Sequence, residues 1–261
     1  AYGWNVVESS WSGPQYLAQS DDKGADQTMA NGWIQKNVAT EIFAAAGQDL
    51  DAMMTAARRP DFQAVPLGLS ASLSFQNDFE RTVSDNVIGI LPGAERSDEY
   101  VLYTAHWDHL GRCKAAPDGD DICNGAVDNA TGTAALVALA EAHAKAGTPD
   151  RSIIFLAVTA EESGLLGSQY YADNPVYPLA RTVGGVNMDA FSMAGPASNL
   201  TVIGMGKSDL DAYLAKAAEA EGRKPEREPT PEKGYYSRSD HFSLAKKGVP
   251  MAYFKGGEDL I

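Results

Sequence analysis

The sequence predicts an α/β fold, with helices on both faces of a mixed, mostly parallel sheet. Three observations carry that expectation. From about residue 100, strand-like and helix-like runs alternate, the pattern of β-α units laid on a parallel sheet. Residues 152–159 contain Ile153, Ile154, Phe155, Leu156, Ala157 and Val158 without a break, which reads as a short strand buried on both faces. His, Asp and Glu recur just past the ends of the expected strands, where open α/β sheets build their sites.

In chain order, residues 1–30 are loop-rich, with a short strand expected at 4–7. Ile34, Val38, Ile42 and Phe43 share one face of a helix over 33–46 that Gly47 ends. A second helix is expected over 49–59, with Asp49 as its cap and Pro60 beyond it. Leu69, Ala71, Leu73 and Phe75 alternate with polar residues, a period-two pattern that predicts a strand. Residues 85–91 and 100–105 read as two more strands, the first stopped by Pro92-Gly93, and the three are expected as neighbours in one sheet. Residues 132–145 are Ala/Leu-rich and helical, and the buried strand then follows. Further helices are expected over 163–172, 208–221 (capped by Ser208) and 240–247, with strands at 182–188, 200–203 and 249–254.

Bulk composition narrows the function classes. The chain has 261 residues, room for one large α/β domain or two small ones. A net charge of −14 argues against nucleic acid and anionic membranes, which both call for a basic footprint. No apolar run approaches the ~20 residues of a membrane span. Two cysteines, Cys113 and Cys123, lie in one polar, Gly/Asp/Pro-rich loop. That placement suggests a disulfide and an oxidising compartment, so a secreted or periplasmic location is expected.

The chemistry lies at the strand ends. The strand over 100–105 leads into His106-Trp107-Asp108-His109. Asn124-Gly125-Ala126-Val127-Asp128-Asn129 precedes the Ala-rich helix, Ala160-Glu161-Glu162-Ser163-Gly164 follows the buried strand, and Asp189 follows Met188. Four strand ends carrying imidazole and carboxylate groups point to a metal site that suits zinc, with manganese or cobalt as competitors. A carboxylate two residues after His106 can accept the second ring N–H of a ligating imidazole, which gives Asp108 an orienting role. His109 is read as a surface side chain, with the alternative that it competes with His106 as ligand, and His143 as a surface side chain.

His106-Trp107-Asp108, Asp128-Asn129-Ala130-Thr131-Gly132, the run from Ala160 to Ser168, Asn187-Met188-Asp189 and Ser239-Asp240-His241 occur in this order. Together they resemble metallopeptidase family 28, the co-catalytic zinc aminopeptidases and their glutamate carboxypeptidase-like relatives. The resemblance implies the zinc-exopeptidase (phosphorylase/hydrolase-like) fold and an enzyme that removes N-terminal residues from peptides. It implies that His106 and Asp189 bind one zinc, that Asp128 bridges two, that Glu162 binds the second, and that Glu161 is the general base. It also implies a non-proline cis peptide at Asp128-Asn129. A glutaminyl-cyclase-like acyltransferase with one zinc, or a binding module of the transferrin-receptor type, are the alternatives.

In the family, the last zinc ligand is a His in a Tyr-His-x-Pro-x-Asp-like tract that this sequence does not reach before Ile261. The second zinc position is therefore expected to lack its imidazole, unless His241 substitutes or a C-terminal segment acts as a partner and supplies it. Residues 1–30 resemble the closing part of an inserted protease-associated domain, leaving 31–261 as the catalytic domain.

Overall fold

The computed structural model describes residues 3–11, 13–20, 25, 27–192, 195–257, 259 and 260, with backbone only at 9 and 10. These residues form two compact units, one drawn from 1–15 and 19–82, the other from 16–18 and 83–261.

The first unit holds three short helices, α1 (Trp4–Ser10), α2 (Lys36–Ala45) and α3 (Leu50–Ala56). Asp49 caps α3, accepting from the Ala52 N–H at 2.7 Å. Gly47, with φ at 68°, follows α2 in the left-handed conformation that glycine adopts without strain. Two expectations fail here. The segment over 4–7 is helical, closed by hydrogen bonds such as Trp11 N–H to Val7 O at 3.0 Å. The alternating stretch over 67–76 forms no strand: Leu73 is 75% and Phe75 58% exposed, so among the described residues its apolar face is left largely uncovered. A period-two pattern makes a strand only when a neighbour pairs with it and one face is buried.

The second unit is built on a seven-stranded sheet in the order β1-β5-β2-β6-β9-β7-β8. Its strands are β1 (Val87–Leu91), β2 (Arg96–His106), β5 (Arg151–Val158), β6 (Thr182–Asn187), β7 (Asn199–Val202), β8 (Lys224–Arg227) and β9 (Met251–Gly256). β5, β2, β6 and β9 run parallel, β1 and β7 run antiparallel to their inner neighbours, and β8 is parallel to β7. The mixed, mostly parallel class is as expected, but β1 pairs with β5 and not with β2. β5, apolar from Ile153 to Val158, takes the interior place between them, whereas β1 is half exposed and suits an edge.

Alternation along the central strands buries both faces. Leu102, Ile154, Leu156 and Val158 pack with Tyr171 and Ala172 of α5 (Leu166–Asp173) and Leu244 of α7 (His241–Ala245). On the other face Ala105, Ile153 and Phe155 pack with Leu136 of α4 (Ala130–Ala146). Burying each large aliphatic side chain contributes about 1.5–3 kcal/mol, so this core fixes where the strand ends lie. α6 (Leu210–Ala220) covers Leu200 and Val202 through Ala218. Ser208 does not cap α6; Asp209 holds that position, and the first-turn Asp211 instead accepts from the Gly206 N–H.

The loop between β2 and α4 carries a two-stranded hairpin, β3 (Gly111–Arg112) and β4 (Ile122–Cys123). The Cys113–Cys123 disulfide forms, with Cα atoms 5.9 Å apart, and ties the two arms together.

Candidate metal centre

The C-terminal ends of β2, β5 and β6 converge with the start of α4. β2 delivers His106 as its last residue, and its side chain is only 1% exposed. Glu161 and Glu162 follow β5, Asp189 follows β6, and Asp128 precedes α4. Asn129 staples these ends together. Its Oδ1 accepts from the Gly132 and Ala190 N–H groups at 3.0 and 3.1 Å, and its Nδ2 donates to the Met188 carbonyl at 2.9 Å. The helix approaches β6 so closely that a Cβ on Gly132 would overlap both Asn129 Oδ1 and the Met188 oxygen. The Asp128–Asn129 peptide is cis.

Two triads share Asp128. His106 Nε2 lies 3.1 Å from Asp128 Oδ1 and 3.5 Å from Asp189 Oδ1. His109, Asp128 and Glu162 form the other, with His109 Nδ1 2.6 Å from Glu162 Oε1. Within each triad the donor atoms fall within 4.8 Å of one another. His106 Nε2, His109 Nδ1, Asp128 Oδ1 and Glu162 Oε1 are all buried, and despite the short approaches none is aligned in a hydrogen bond. Buried imidazole and carboxylate atoms that converge without aligned hydrogen bonds are costly unless a cation sits among them. Imidazole nitrogen with carboxylate oxygen is a zinc-type donor set, so the residues fit that ion.

The surrounding hydrogen bonds set the ligand orientations. His106 Nδ1 is 3.1 Å from the main-chain oxygen of Asp108 and 3.7 Å from its carboxylate. The ring is thus held by the carbonyl, which differs from the orienting role expected of the Asp108 side chain. That carboxylate instead accepts from the Glu161 and Glu162 N–H groups at 3.1 and 3.4 Å. It ties the β2 exit to the β5 exit. Asp189 Oδ2 accepts from the Ser239 hydroxyl at 2.6 Å, and Ser239 in turn accepts from Asn187 Nδ2 at 2.7 Å.

Electrostatics agree with a place for positive charge. Burial alone would push the His106 imidazole down, but the close carboxylates of Asp128 and Asp189 lift it to about 11. Burial pushes the Glu161 carboxyl up to about 9, with Asp240 adding to the shift. Burial, then Asp128, raises Glu162. Asp189 is lowered: burial works against it, and the nearby His106 imidazole and the Ser239 hydrogen bond prevail. Carboxylates crowded into one buried spot repel one another, and a dication relieves that repulsion.

The four ligands expected from the sequence, His106, Asp128, Glu162 and Asp189, therefore lie together, with Glu161 beside them. His109 does not behave as a surface side chain; it is 22% exposed and joins the second triad. The available signal was its place three residues after His106, on the same strand exit. His241 lies in neither triad. It is buried between Tyr236 and Tyr253, with ring centroids at 4.9 and 4.7 Å, and burial lowers its imidazole to about 4. His143 packs against Tyr103 and Phe155 on the face of α4.

Comparison with known proteins gives a consistent result. Mouse aminopeptidase NAALADL1 is 34% identical over 158 residues, 58% of this chain and 19% of that protein. The solved zinc aminopeptidase from Bacillus subtilis is 28% identical with a TM-score of 0.50, covering 66% of this chain and 40% of that one. The aminopeptidase from Aneurinibacillus sp. strain AM-1 shares the fold, with a TM-score of 0.50 and 24% identity over 67% of this chain and 39% of its own. This chain thus spans about a fifth of the mouse relative and two fifths of the bacterial enzymes. The model of Peptidase family M28 matches residues 86–259, the stretch that holds every ligand described above, and the chain belongs to that family.

Proposed function

We propose that this chain holds the catalytic centre of a zinc-dependent exopeptidase, an aminopeptidase that hydrolyses N-terminal peptide bonds. The observation that carries this reading is the pair of imidazole–carboxylate triads sharing Asp128 at the C-terminal edge of the sheet. His106, Asp128 and Asp189 would hold one ion, and Asp128 with Glu162 would border a second. Bound zinc supplies Lewis acidity toward the scissile carbonyl and makes water acidic near neutral pH.

Glu161 is the general base in this reading. Its carboxyl, held high by burial and by Asp240, takes the proton of the attacking water and returns it to the departing amine. With positive charge beside it, Glu161 ionises nearer neutrality, where a base is most effective. Asp108 positions Glu161 by holding its N–H. The acidic surroundings of Glu161 and Asp189 suit a substrate with a cationic α-amine. One triad would suffice for glutaminyl-cyclase-like acyl transfer, and a transferrin-receptor-type binding module needs neither triads nor Glu161. The disulfide supports a secreted or periplasmic location.

The test uses zinc-loaded chain and an aminoacyl-nitroanilide. Release of nitroaniline that a chelator abolishes, and that N-acetylation of the substrate prevents, supports the reading. Cleavage of the acetylated substrate, or turnover indifferent to chelation, contradicts it.

A further inference from the structure

We propose that Lys255 sets the substrate class: its ammonium receives the side-chain carboxylate of an N-terminal Glu or Asp, so acidic first residues are preferred. The inference deepens the aminopeptidase reading above and rests on it.

The strand places the lysine. β9 runs parallel to β6, with Tyr253 opposite Asn187. Carried two residues further, that register sets Lys255 level with Asp189. Side chains alternate along a strand, so Met251, Tyr253 and Lys255 share one face. Met251 packs in one core cluster with Leu244 of α7, and the Tyr253 ring lies 4.7 Å from that of His241 on the same helix. The Tyr253 hydroxyl then reaches Asp189 Oδ2 at 3.4 Å. Lys255 is the next residue along this face, at the edge where the strand ends gather. Burial raises Asp189, His106 and Ser239 lower it, and the Lys255 ammonium adds to the lowering, which places its charge beside that carboxylate.

The charge is held in place without being neutralised. Lys255 is half-buried, and its Nζ lies 5.7 Å from the Tyr235 ring centroid and 5.9 Å from that of Tyr253. The two rings border the ammonium and favour its position electrostatically. Among the described residues it makes no ion pair, as other lysines do with their carboxylates. In the zinc reading Asp189 is committed to the metal, which leaves the lysine's charge to an anion from the substrate. The substrate's α-amine faces Glu161 and Asp189 in that reading. Its side chain therefore starts beside Asp189, and a short chain ending in a carboxylate meets the ammonium that stands level with Asp189 on the next strand.

The experiment measures binding, independent of turnover. Zinc-loaded chain is titrated by calorimetry with the α-hydroxamates of glutamate and glutamine, which match in shape and differ in charge. The ratio of the two affinities is internal to each protein, so partial loss of fold or of zinc cancels. Wild type should bind the glutamate compound about tenfold tighter or more, the worth of one hydrogen bond between charged groups. Lys255→Met, which keeps the stem and loses the charge, should bring the ratio to about one. Lys255→Glu should invert it, because like charges then face each other.

A wild-type ratio near one overturns this inference alone, and so does a preference for glutamate that Lys255→Met leaves unchanged. Failure of both hydroxamates to bind the wild-type chain, with leucine hydroxamate failing as well, overturns the aminopeptidase reading itself.

Discussion

Asp108→Ala separates two accounts of how the site is held. Its carboxylate accepts from the Glu161 and Glu162 N–H groups at 3.1 and 3.4 Å, while its main-chain oxygen faces His106 Nδ1 at 3.1 Å. A hydrogen bond to a charged acceptor contributes about 1.5–3 kcal/mol, and the longer of these two belongs at or below the low end. Losing both should cost about 2–4 kcal/mol and free the β5 exit. Asp108→Asn keeps one neutral acceptor and should cost about 1–2 kcal/mol. Both variants keep the carbonyl, so zinc should still bind through His106, while turnover falls because Glu161 is no longer held. Urea unfolding of the metal-free protein gives the stability change, and a zinc titration gives the ligand's state. An Asp108→Ala protein within about 0.5 kcal/mol of wild type would refute the tether. Loss of zinc binding with stability intact would restore the carboxylate as the group that orients His106.

Three further outcomes are expected. Glu161→Gln should keep its zinc and lose about 10²–10⁴ in rate, the usual worth of a general base; turnover close to wild type removes Glu161 from the chemistry. Cys113→Ser should lower stability by at most ~2–3 kcal/mol, because the disulfide closes a short loop of separation 10; thermal melts unchanged by the substitution would show that the hairpin does not depend on it. Burial holds Asp240 at about 7 against an ordinary 3.8, so the folded protein keeps this proton after the unfolded chain has lost it. Stability should then fall as pH rises from about 4 through 7, and Asp240→Asn should flatten that slope in metal-free urea melts. Parallel slopes for the two proteins would contradict the buried acid.

What the sequence makes legible follows from where burial decides the structure. Ile153 to Val158 reads as an interior strand because a short, β-branched apolar run of that length suits an element covered on both faces. The ligands at its end, and those after β2 and β6, are legible because a parallel sheet gathers strand ends on one edge. Leu69 to Phe75 carries the same kind of pattern without a partner, and pattern alone does not supply one. β8, with the sequence Lys224-Pro225-Glu226-Arg227, gives no apolar signal because it is an edge strand held by pairing with β7. The place of β1 beside β5 is set by long-range packing that local periodicity does not encode. The default surface reading of His109 gave way for a related reason: an imidazole in a loop looks solvated until the loop is seen to lie beside Glu162. The Asp108 tether was misassigned because sequence gives the spacing to His106 but not which of the two acceptors on Asp108 faces the ring.

The central claim is that His106, Asp128 and Asp189 form a zinc site at the edge of this sheet. Diffraction from crystals of the zinc-loaded chain, recorded on both sides of the zinc absorption edge, tests it most directly. The account predicts an anomalous peak within bonding distance of His106 Nε2, Asp128 and Asp189. Strong zinc peaks only elsewhere, with these three side chains bonded to one another or to water, would contradict it.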